Sequence, residues 1–302
     1  MSQLFISGLL NIETTLAISG FPLHYAPVHY PFGGINSTVS GVGFNLAKAL
    51  HHLGNQVSLH SLIGHDMAGD TIRHAVKELG LSSQGLEEAL SATAQSVILY
   101  EPSGRRQIHV DLKECQERHL TKVTDAQLMQ ADLALLCNIN FSRPLLQRAK
   151  QLGKPIACDV HVLSDLHDAY NREFMQAADI LFLSDEGIGE RSAEAMLREL
   201  AALYDNAIVV MGQGHAGALM YVREEQRLFH APAWAPRGVK NTIGAGDALF
   251  SAFIHDWSKH RNPYQALSRA TQYAGWKVGA IGAADGLLDE AQWLALCAET
   301  RL

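Results

Sequence analysis

The sequence predicts an α/β fold of three layers, in which a mostly parallel central sheet is flanked by helices and a small second sheet forms a lid. Short apolar runs of strand length alternate with stretches of helical periodicity, a pattern typical of βαβ units. Two stretches interrupt this alternation with strand-like patterns of their own. The length of 302 residues, with 47% hydrophobic and 18% charged residues, suits a sizeable core. We therefore expect a single domain over residues 1–302.

The alternating elements follow one another in a regular order along the chain. The predicted strands of the central sheet cover residues 4–6, 57–63, 133–137, 155–159, 180–183 and 207–211. The predicted helices between them cover residues 68–79, 144–152, 168–177 and 192–203. In sheets of this kind ligands bind beyond the carboxyl ends of the strands, so we expect the functional site at that edge.

A small separate sheet is predicted from the segments that break the alternation, at residues 12–20, 93–100 and 106–112. The last two form a predicted hairpin, since Pro102 and Gly104 stand in the turn between them. A small sheet beside a ligand cleft can act as a lid, and its exposed apolar face favours pairing with a second copy. We expect a homodimer through this lid. The alternative is an edge hairpin that continues the main sheet.

The most informative segment is Asn-Thr-Ile-Gly-Ala-Gly-Asp-Ala-Leu-Phe at residues 241–250. Apolar residues at helical spacing follow it, which predicts that Gly244, Ala245, Gly246 and Asp247 form the first turn of a helix. Free backbone amides at a helix start bind anions such as phosphate, and glycine lets a ligand approach them. A carboxylate beside a phosphate is best explained as a general base for an attacking hydroxyl. The alternative is an ordinary acidic residue at a helix start.

A second glycine cluster contains Gly41 and Gly43 and is followed by Asn45. It opens a predicted helix that ends at Gly54. The amide of Asn45 offers both a donor and an acceptor, which suits the vicinal hydroxyls of a sugar. The alternative is a flexible loop with an asparagine at a helix start.

A third cluster, Gly212-x-Gly214-x-x-Gly217, matches the spacing of a dinucleotide-binding fingerprint. That fingerprint requires a helix after the glycines, whereas residues 218–222 have the pattern of a strand. The glycines therefore predict a strand–turn–strand unit. A P-loop is also absent from the sequence, which argues against that class of nucleotide enzyme.

Together these motifs resemble the ribokinase-like carbohydrate kinase family, over nearly the whole chain. The motifs that carry the resemblance are G-x-G-x-N at 41–45, G-x-D-x-x-G at 64–69 and T-x-G-A-G-D at 242–247. The resemblance implies a ribokinase-like fold and an ATP-dependent kinase that phosphorylates a primary hydroxyl of a sugar or ribonucleoside. It also implies Mg²⁺ as a cofactor.

The resemblance implies roles for individual residues. Asp247 would be the base, and the anion hole would be formed by the amides of Gly244, Ala245, Gly246 and Asp247. The residues expected to contact the acceptor are Asn11, Glu13, Gly41, Gly43 and Asn45. The residues expected beside the nucleotide are Ser184, Gly212, Gly214, Gly217 and Thr242.

Three positions differ from the family pattern. Glu13 stands where the family usually has an aspartate, which suggests a shifted or different acceptor. Where the family commonly has Asn-x-x-Glu, this chain has Ser184, and only Asp185 and Glu186 remain to hold Mg²⁺ through water. Asn241 replaces an aspartate near a monovalent-cation site, so a requirement for K⁺ is left open.

The identity of the acceptor is also left open by the sequence. The motifs look most like those of the nucleoside-type members, pseudouridine kinase among them, and plain sugars remain an alternative. Two functions of other classes are a nucleotide-binding regulator with lost or weak activity and a dinucleotide-dependent oxidoreductase.

The composition argues against several other classes of protein. The net charge is −7 without a basic run, so we expect no nucleic acid as a partner. The longest apolar runs fall short of the roughly 18 residues of a membrane span, and the first residues lack the basic region of a signal peptide. Four scattered cysteines without a C-x-x-C pair are typical of reduced thiols, which predicts a cytoplasmic protein. The histidines and aspartates at 159–168 match no metal-ligand spacing.

Overall fold

The computed structural model describes residues 1–103 and 105–299 and contains two sheets surrounded by helices. The strands are β1 (Gln3–Ser7), β2 (Asn11–Ala17), β3 (Ile35–Ser40), β4 (Gln56–Gly64), β5 (Leu86–Leu90), β6 (Gln95–Tyr100), β7 (Arg106–Asp111), β8 (Leu133–Leu136), β9 (Ile156–Val162), β10 (Ile180–Ser184), β11 (Ile208–Gly212), β12 (Ala218–Val222) and β13 (Arg227–Ala231). The helices are α1 (Val42–His52), α2 (Met67–Glu78), α3 (Asp125–Gln130), α4 (Arg143–Gln151), α5 (Arg172–Ala177), α6 (Ala193–Leu203), α7 (Ala245–His260), α8 (Pro263–Lys277) and α9 (Glu290–Glu299).

The central sheet has nine strands in the order β13-β12-β11-β10-β9-β8-β1-β4-β5. The pairs from β11 to β5 are parallel, and only β12 and β13 join antiparallel. Apolar side chains on the two faces of the strands belong to different cores: Leu4 and Ile6 pack with α1, α7 and α8, whereas Phe5 packs with α4, α5 and α6. The predicted three-layer α/β fold is thereby confirmed.

The second sheet has four strands in the order β3-β2-β6-β7. Three of them fall in the segments that the sequence predicted as a separate sheet. The fourth, β3, was missed because its sequence Ile-Asn-Ser-Thr-Val-Ser is mostly polar and its first three residues are exposed. The antiparallel β6–β7 pair confirms the predicted hairpin as a pair of strands, and its turn residue Gly104 lies outside the described residues.

At two places the local structure departs from what the sequence favours, and in each a side chain binds backbone. The segment Leu-Glu-Glu-Ala-Leu is rich in helix formers but forms β5, where the Glu87 carboxylate accepts hydrogen bonds from the amides of Thr121 and Lys122. The helix predicted at 168–177 begins only at Arg172, since Oδ2 of Asp168 accepts the Asn171 amide at 2.8 Å in a turn.

The helices of the described residues fall short of what a membrane span requires. None of them is both long and apolar enough to cross a bilayer.

Candidate active site

Two side chains from distant parts of the sequence meet beyond the strand ends of the central sheet. Asn45 lies in the first turn of α1 and Asp247 in the first turn of α7. Nδ2 of Asn45 donates a hydrogen bond to Oδ2 of Asp247 at 2.7 Å, although 202 residues separate them. The fold therefore brings two of the three glycine motifs to one place.

The surroundings of Asp247 set its proton affinity. Burial raises the pKa of the Asp247 carboxyl, and the hydrogen bond from Asn45 opposes that rise. The charges of His161 and Lys277 also lower this pKa, while the charge of Asp159 raises it. The net effect is a raised pKa, which makes the carboxylate a stronger proton acceptor than an ordinary surface aspartate.

The start of α7 is shaped by its two glycines. Gly244 caps the helix with φ 74°, and a Cβ there would lie 2.2 Å from the carbonyl oxygen of Ala283, so a side chain is excluded. By contrast, a Cβ on Gly246 would meet no described atom within 4 Å. The Ala245 amide already donates to the carbonyl of Thr242 at 3.1 Å. A ligand anion therefore has its clearest approach at Gly246 and the amide that follows it.

Asn11 and Glu13 of β2 are buried polar side chains, and the charge of Asp247 acts on Glu13. Asn11 donates to Oγ of Ser96 at 2.9 Å, and Oε2 of Glu13 accepts from Oγ of Ser40 at 3.0 Å. Each of these side chains, like Asn45, keeps one buried oxygen without a hydrogen-bond partner among the described residues: Asn11 Oδ1, Glu13 Oε1 and Asn45 Oδ1. Unsatisfied buried acceptors are costly in a folded chain unless a ligand or water pairs with them.

Glu13 is also perturbed by this environment. Burial raises the pKa of its carboxyl, the hydrogen bond from Ser40 lowers it, and the charge of Asp247 raises it. The net effect is a raised pKa of Glu13. A hydrogen-bond donor or a cation from a ligand would stabilise the ionised carboxylate and lower this pKa.

Gly41 and Gly43 have a structural role that the sequence did not reveal. A Cβ on Gly41, whose φ is 98°, would lie 2.4 Å from the Leu9 carbonyl oxygen, and one on Gly43 would lie 2.6 Å from the backbone of Gly8. These glycines allow backbone to approach backbone where β1 passes the start of α1. That close approach places Asn45 at the cleft.

The third glycine cluster forms the predicted strand–turn–strand unit between β11 and β12. A Cβ on Gly217, at φ 104°, would lie 2.1 Å from the Ala231 carbonyl oxygen, whereas Gly214 has no described neighbour within 4 Å and Gly212 only distant ones. The helix that a dinucleotide fingerprint requires is therefore replaced by strand β12.

Ser184 ends β10 and caps the single helical turn Asp185–Gly187, which contains Asp185 and Glu186. Oγ of Ser184 accepts the amide of Glu186 at 3.3 Å. Burial and the charge of Glu186 raise the pKa of Asp185, an unfavourable state that a cation would relieve. No cluster of three or more potential metal ligands occurs within residues 1–103 and 105–299. Two carboxylates fit a Mg²⁺ that keeps waters and phosphate oxygens as its other ligands.

A buried lysine behind the start of α7 was missed by the sequence analysis. Lys277 ends α8, where lysine is common, but its side chain is fully buried and its Nζ donates to the carbonyl of Ile243. Burial lowers its pKa to about 8, against the charges of Asp247, Asp285 and Glu13. No local pattern distinguishes this lysine from an exposed one.

The second missed residue is Arg106, the first residue of β7 in the small sheet. Its Nη1 donates to Oγ1 of Thr242 at 2.5 Å, and its Nη2 donates to Glu186 at 3.3 Å. In the same region Ile98 of β6 packs against Ile243. The small sheet thus contacts both the loop before α7 and the turn after β10.

The comparisons with known proteins agree on the family and the fold. The family model of the pfkB family carbohydrate kinases matches residues 1–290. A curated relative, the bifunctional protein HldE of a Nitratiruptor species, is 24% identical over 268 residues, which cover 83% of this chain and 56% of that protein. The chain thus spans about half the length of the curated relatives it matches.

Several solved structures share the fold over nearly the whole chain. The microbiome-derived acarbose kinase Mak1 has a TM-score of 0.86 at 21% identity, with 98% of this chain and 99% of that chain covered. Arabidopsis thaliana ribokinase complexed with ribose and ATP has a TM-score of 0.80 at 16% identity, with 98% of each covered. A Burkholderia thailandensis nucleoside kinase in complex with inosine has a TM-score of 0.79 at 17% identity, with 97% and 96% covered. At these identities the likeness concerns the fold.

Proposed function

This chain belongs to the pfkB family of carbohydrate kinases, and from that premise we propose that it transfers the γ-phosphoryl group of ATP to a primary hydroxyl of a sugar or ribonucleoside. The observation that carries the proposal is the contact of Asn45 with Asp247 at the open first turn of α7. This contact supports the proposal because a carboxylate that can accept a proton and an amide that can bind a hydroxyl lie together beside backbone that an anion can approach.

The proposed mechanism assigns the proton first. Asp247 accepts the proton of the acceptor hydroxyl as the oxygen attacks the γ-phosphorus and the bond to the ADP oxygen breaks. The backbone amides at Gly246 and Asp247 lie where negative charge develops on the transferring group. Asn45 orients the acceptor and holds Asp247 towards it.

The nucleotide is placed over β10 and β11 in this proposal. Gly212, Gly214 and Gly217 line the turn after β11, with Ser184 at the end of β10 and Thr242 before α7. Mg²⁺, when bound, would supply positive charge that neutralises the phosphates. Asp185 and Glu186 are the residues that would hold it through water.

We also propose that turnover is independent of K⁺. The Lys277 ammonium contacts the carbonyl of Ile243, in the loop that Asn241 begins, and the Asn241 side chain accepts a hydrogen bond from the Ile243 amide at 2.8 Å. While Lys277 is protonated, its buried charge makes a second cation at this place unfavourable.

The acceptor pocket favours a ligand with several hydroxyl groups. Asn11, Glu13 and Asn45 each present an unpaired buried oxygen, and ribose or a furanoside supplies donors to match. Nucleoside-type acceptors are the first choice on motif, with plain sugars second. A panel of nucleosides and sugars with ATP–Mg²⁺, read by ADP release, tests the proposal. If none of the acceptors on the panel leads to ADP release, the nucleotide-binding regulator is favoured instead.

Replacing Asn45 by alanine should weaken acceptor binding far more than ATP binding. The change removes the hydrogen bond to Asp247 and the amide that would bind an acceptor hydroxyl. We expect a loss of roughly 1–3 kcal/mol in the free energy of acceptor binding, seen as a higher acceptor KM. Asn55→Ala is the matched control, because it removes an equally buried amide at the far end of α1. The control should lower the melting temperature and leave KM unchanged. Weaker ATP binding with normal acceptor KM would reverse our orientation of the cleft.

The small sheet is proposed to act as the lid and to form a homodimer. Its strands leave four apolar side chains largely exposed: Ile35, Val97, Ile108 and Val110. Exposed apolar sheet faces favour association, so sedimentation should give a dimer for the wild type and a monomer for Val110→Glu. A wild-type monomer at all concentrations would contradict this.

A further inference from the structure

Strand β9 carries an irregularity at the edge of the sheet where the cleft lies. Asp159 pairs with Phe182 of β10, but the next paired residues are Val162 and Ser184, so β9 has one residue more than β10 between these pairs. Such a bulge turns a side chain away from its regular direction and is frequent beside active sites. The two residues of β9 between these pairs are Val160 and His161.

The backbone of His161 has an unusual conformation. Its φ is 57°, one of four positive values among non-glycine residues in the described chain. A histidine in this region costs conformational free energy, and such residues cluster at functional sites. The contacts of His161 with Asp159 indicate a role for this conformation in orienting the ring.

Asp159 holds His161 in place from within the same strand. The His161 amide donates to Oδ1 of Asp159 at 2.8 Å, and Nδ1 of the ring lies 3.7 Å from Oδ2. The aspartate is buried, whereas the imidazole side chain is 41% exposed. A buried carboxylate behind a partly exposed imidazole orients the ring.

The electrostatic influence of this pair reaches Asp247. Burial is the main cause that raises the pKa of Asp247, and the His161 charge acts in the opposite direction to the Asp159 charge. The charges of both residues therefore act on the candidate base. Its sequence region had matched no metal-ligand spacing, and no cluster of three metal-binding side chains forms there in the described chain.

The order of strands places β9 in the middle of the cleft. On one side lies β10, which leads to Ser184, and beyond it β11, which leads to the turn at Gly212. On the other side lie β8 and β1, beyond which the chain leads to Asn11 and Glu13. In the order of strands His161 thus stands between the proposed nucleotide side and the proposed acceptor side.

We propose that His161 is a further catalytic residue, whose imidazole ring contacts the terminal phosphate of the bound nucleotide, and that Asp159 is the positioning residue that orients it. The inference rests on the proposed kinase function. A ring N–H donates a hydrogen bond to a charged phosphate oxygen, and at this position the bond follows the phosphoryl group as it moves to the acceptor.

The test compares two nucleotides that differ in the terminal phosphate. His161→Asn removes the imidazole but keeps a residue that tolerates positive φ. Binding of AMP-PNP, a non-hydrolysable analogue of ATP, and of ADP is measured by calorimetry with Mg²⁺ present. The variant should bind AMP-PNP roughly 10- to 100-fold more weakly and ADP as the wild type does. Asp159→Asn should show a smaller loss with the same selectivity.

His167→Asn is the matched control, since His167 is an exposed histidine of the following loop. It should bind both nucleotides normally. Equal weakening of AMP-PNP and ADP in His161→Asn, or no weakening of either, would overturn the assignment of His161 and leave the kinase proposal intact. A wild-type protein that binds neither nucleotide would overturn the kinase proposal and this inference with it.

Discussion

Asp247→Asn should reduce turnover by about 10²–10⁴-fold while the protein stays folded, because asparagine cannot accept a proton from the acceptor hydroxyl. The variant keeps the size of the side chain and its position in the first turn of α7. An oxygen of its amide can still accept the hydrogen bond from Asn45. Rate measurements with saturating ATP and acceptor give the loss in kcat.

The competing interpretation is that Asp247 only stabilises a helix start. It predicts a stability loss of about 0.5–2 kcal/mol with nearly normal turnover. Asp70→Asn serves as the control, since Asp70 is the acidic residue in the first turn of α2 and is exposed. A folded Asp247→Asn variant that turns over like Asp70→Asn would exclude the catalytic assignment.

Lys277→Met should lower turnover by roughly 10²-fold or more. Methionine fills the space but removes the ammonium, so the Ile243 carbonyl loses its donor and Asp247 and Glu13 lose a nearby cation. Wild-type activity should be the same in KCl and in a buffer of large organic cations. Lys77→Met is the control, because Lys77 lies in the last turn of α2 and is exposed. Full activity of Lys277→Met, or a wild type that needs K⁺, would contradict the proposed role.

The pH dependence gives an independent check on Lys277. If the charged form is needed, turnover should fall as the pH rises through about 8. Stability should change in the opposite direction. The folded pKa lies below the ordinary 10.5, so between about 8 and 10.5 the unfolded chain binds the additional proton and the free energy of unfolding rises with pH. Both trends should disappear in Lys277→Met.

The expected loss of turnover at low pH has a different origin. The raised pKa of Asp247 means that turnover should be lost as the pH falls through that value, above the usual range of aspartate. Asp247 and Lys277 influence each other, so the two limbs of the profile belong to the coupled pair.

Features that depend on short segments could be predicted from the sequence. The alternation of strand and helix patterns predicted the parallel sheet, and the residues after Gly246 predicted the start of α7. The strand pattern at 218–222 was enough to reject a dinucleotide fingerprint, and β12 confirms it. Each of these predictions rests on periodicity or turn chemistry that acts within a few residues.

Local propensity misled or was silent where a distant partner decides the structure. The helix formers of β5 form a strand because β4 supplies a parallel neighbour and Glu87 finds the amides of Thr121 and Lys122. The polar strand β3 exists because β2 pairs with it. Tertiary pairing outweighs propensity in both segments.

The sequence by itself determined the family, the fold class and the positions of the glycine motifs with Asp247. Only the tertiary structure decided that Asn45 touches Asp247, that Lys277 lies buried under the Ile243 carbonyl and that His161 lies in a bulge. The physical reason is that charge and hydrogen bonding act through space. A lysine at a helix end looks the same in the sequence whether its side chain is in water or buried near carboxylates. Its burial in the folded protein is what lowers its pKa.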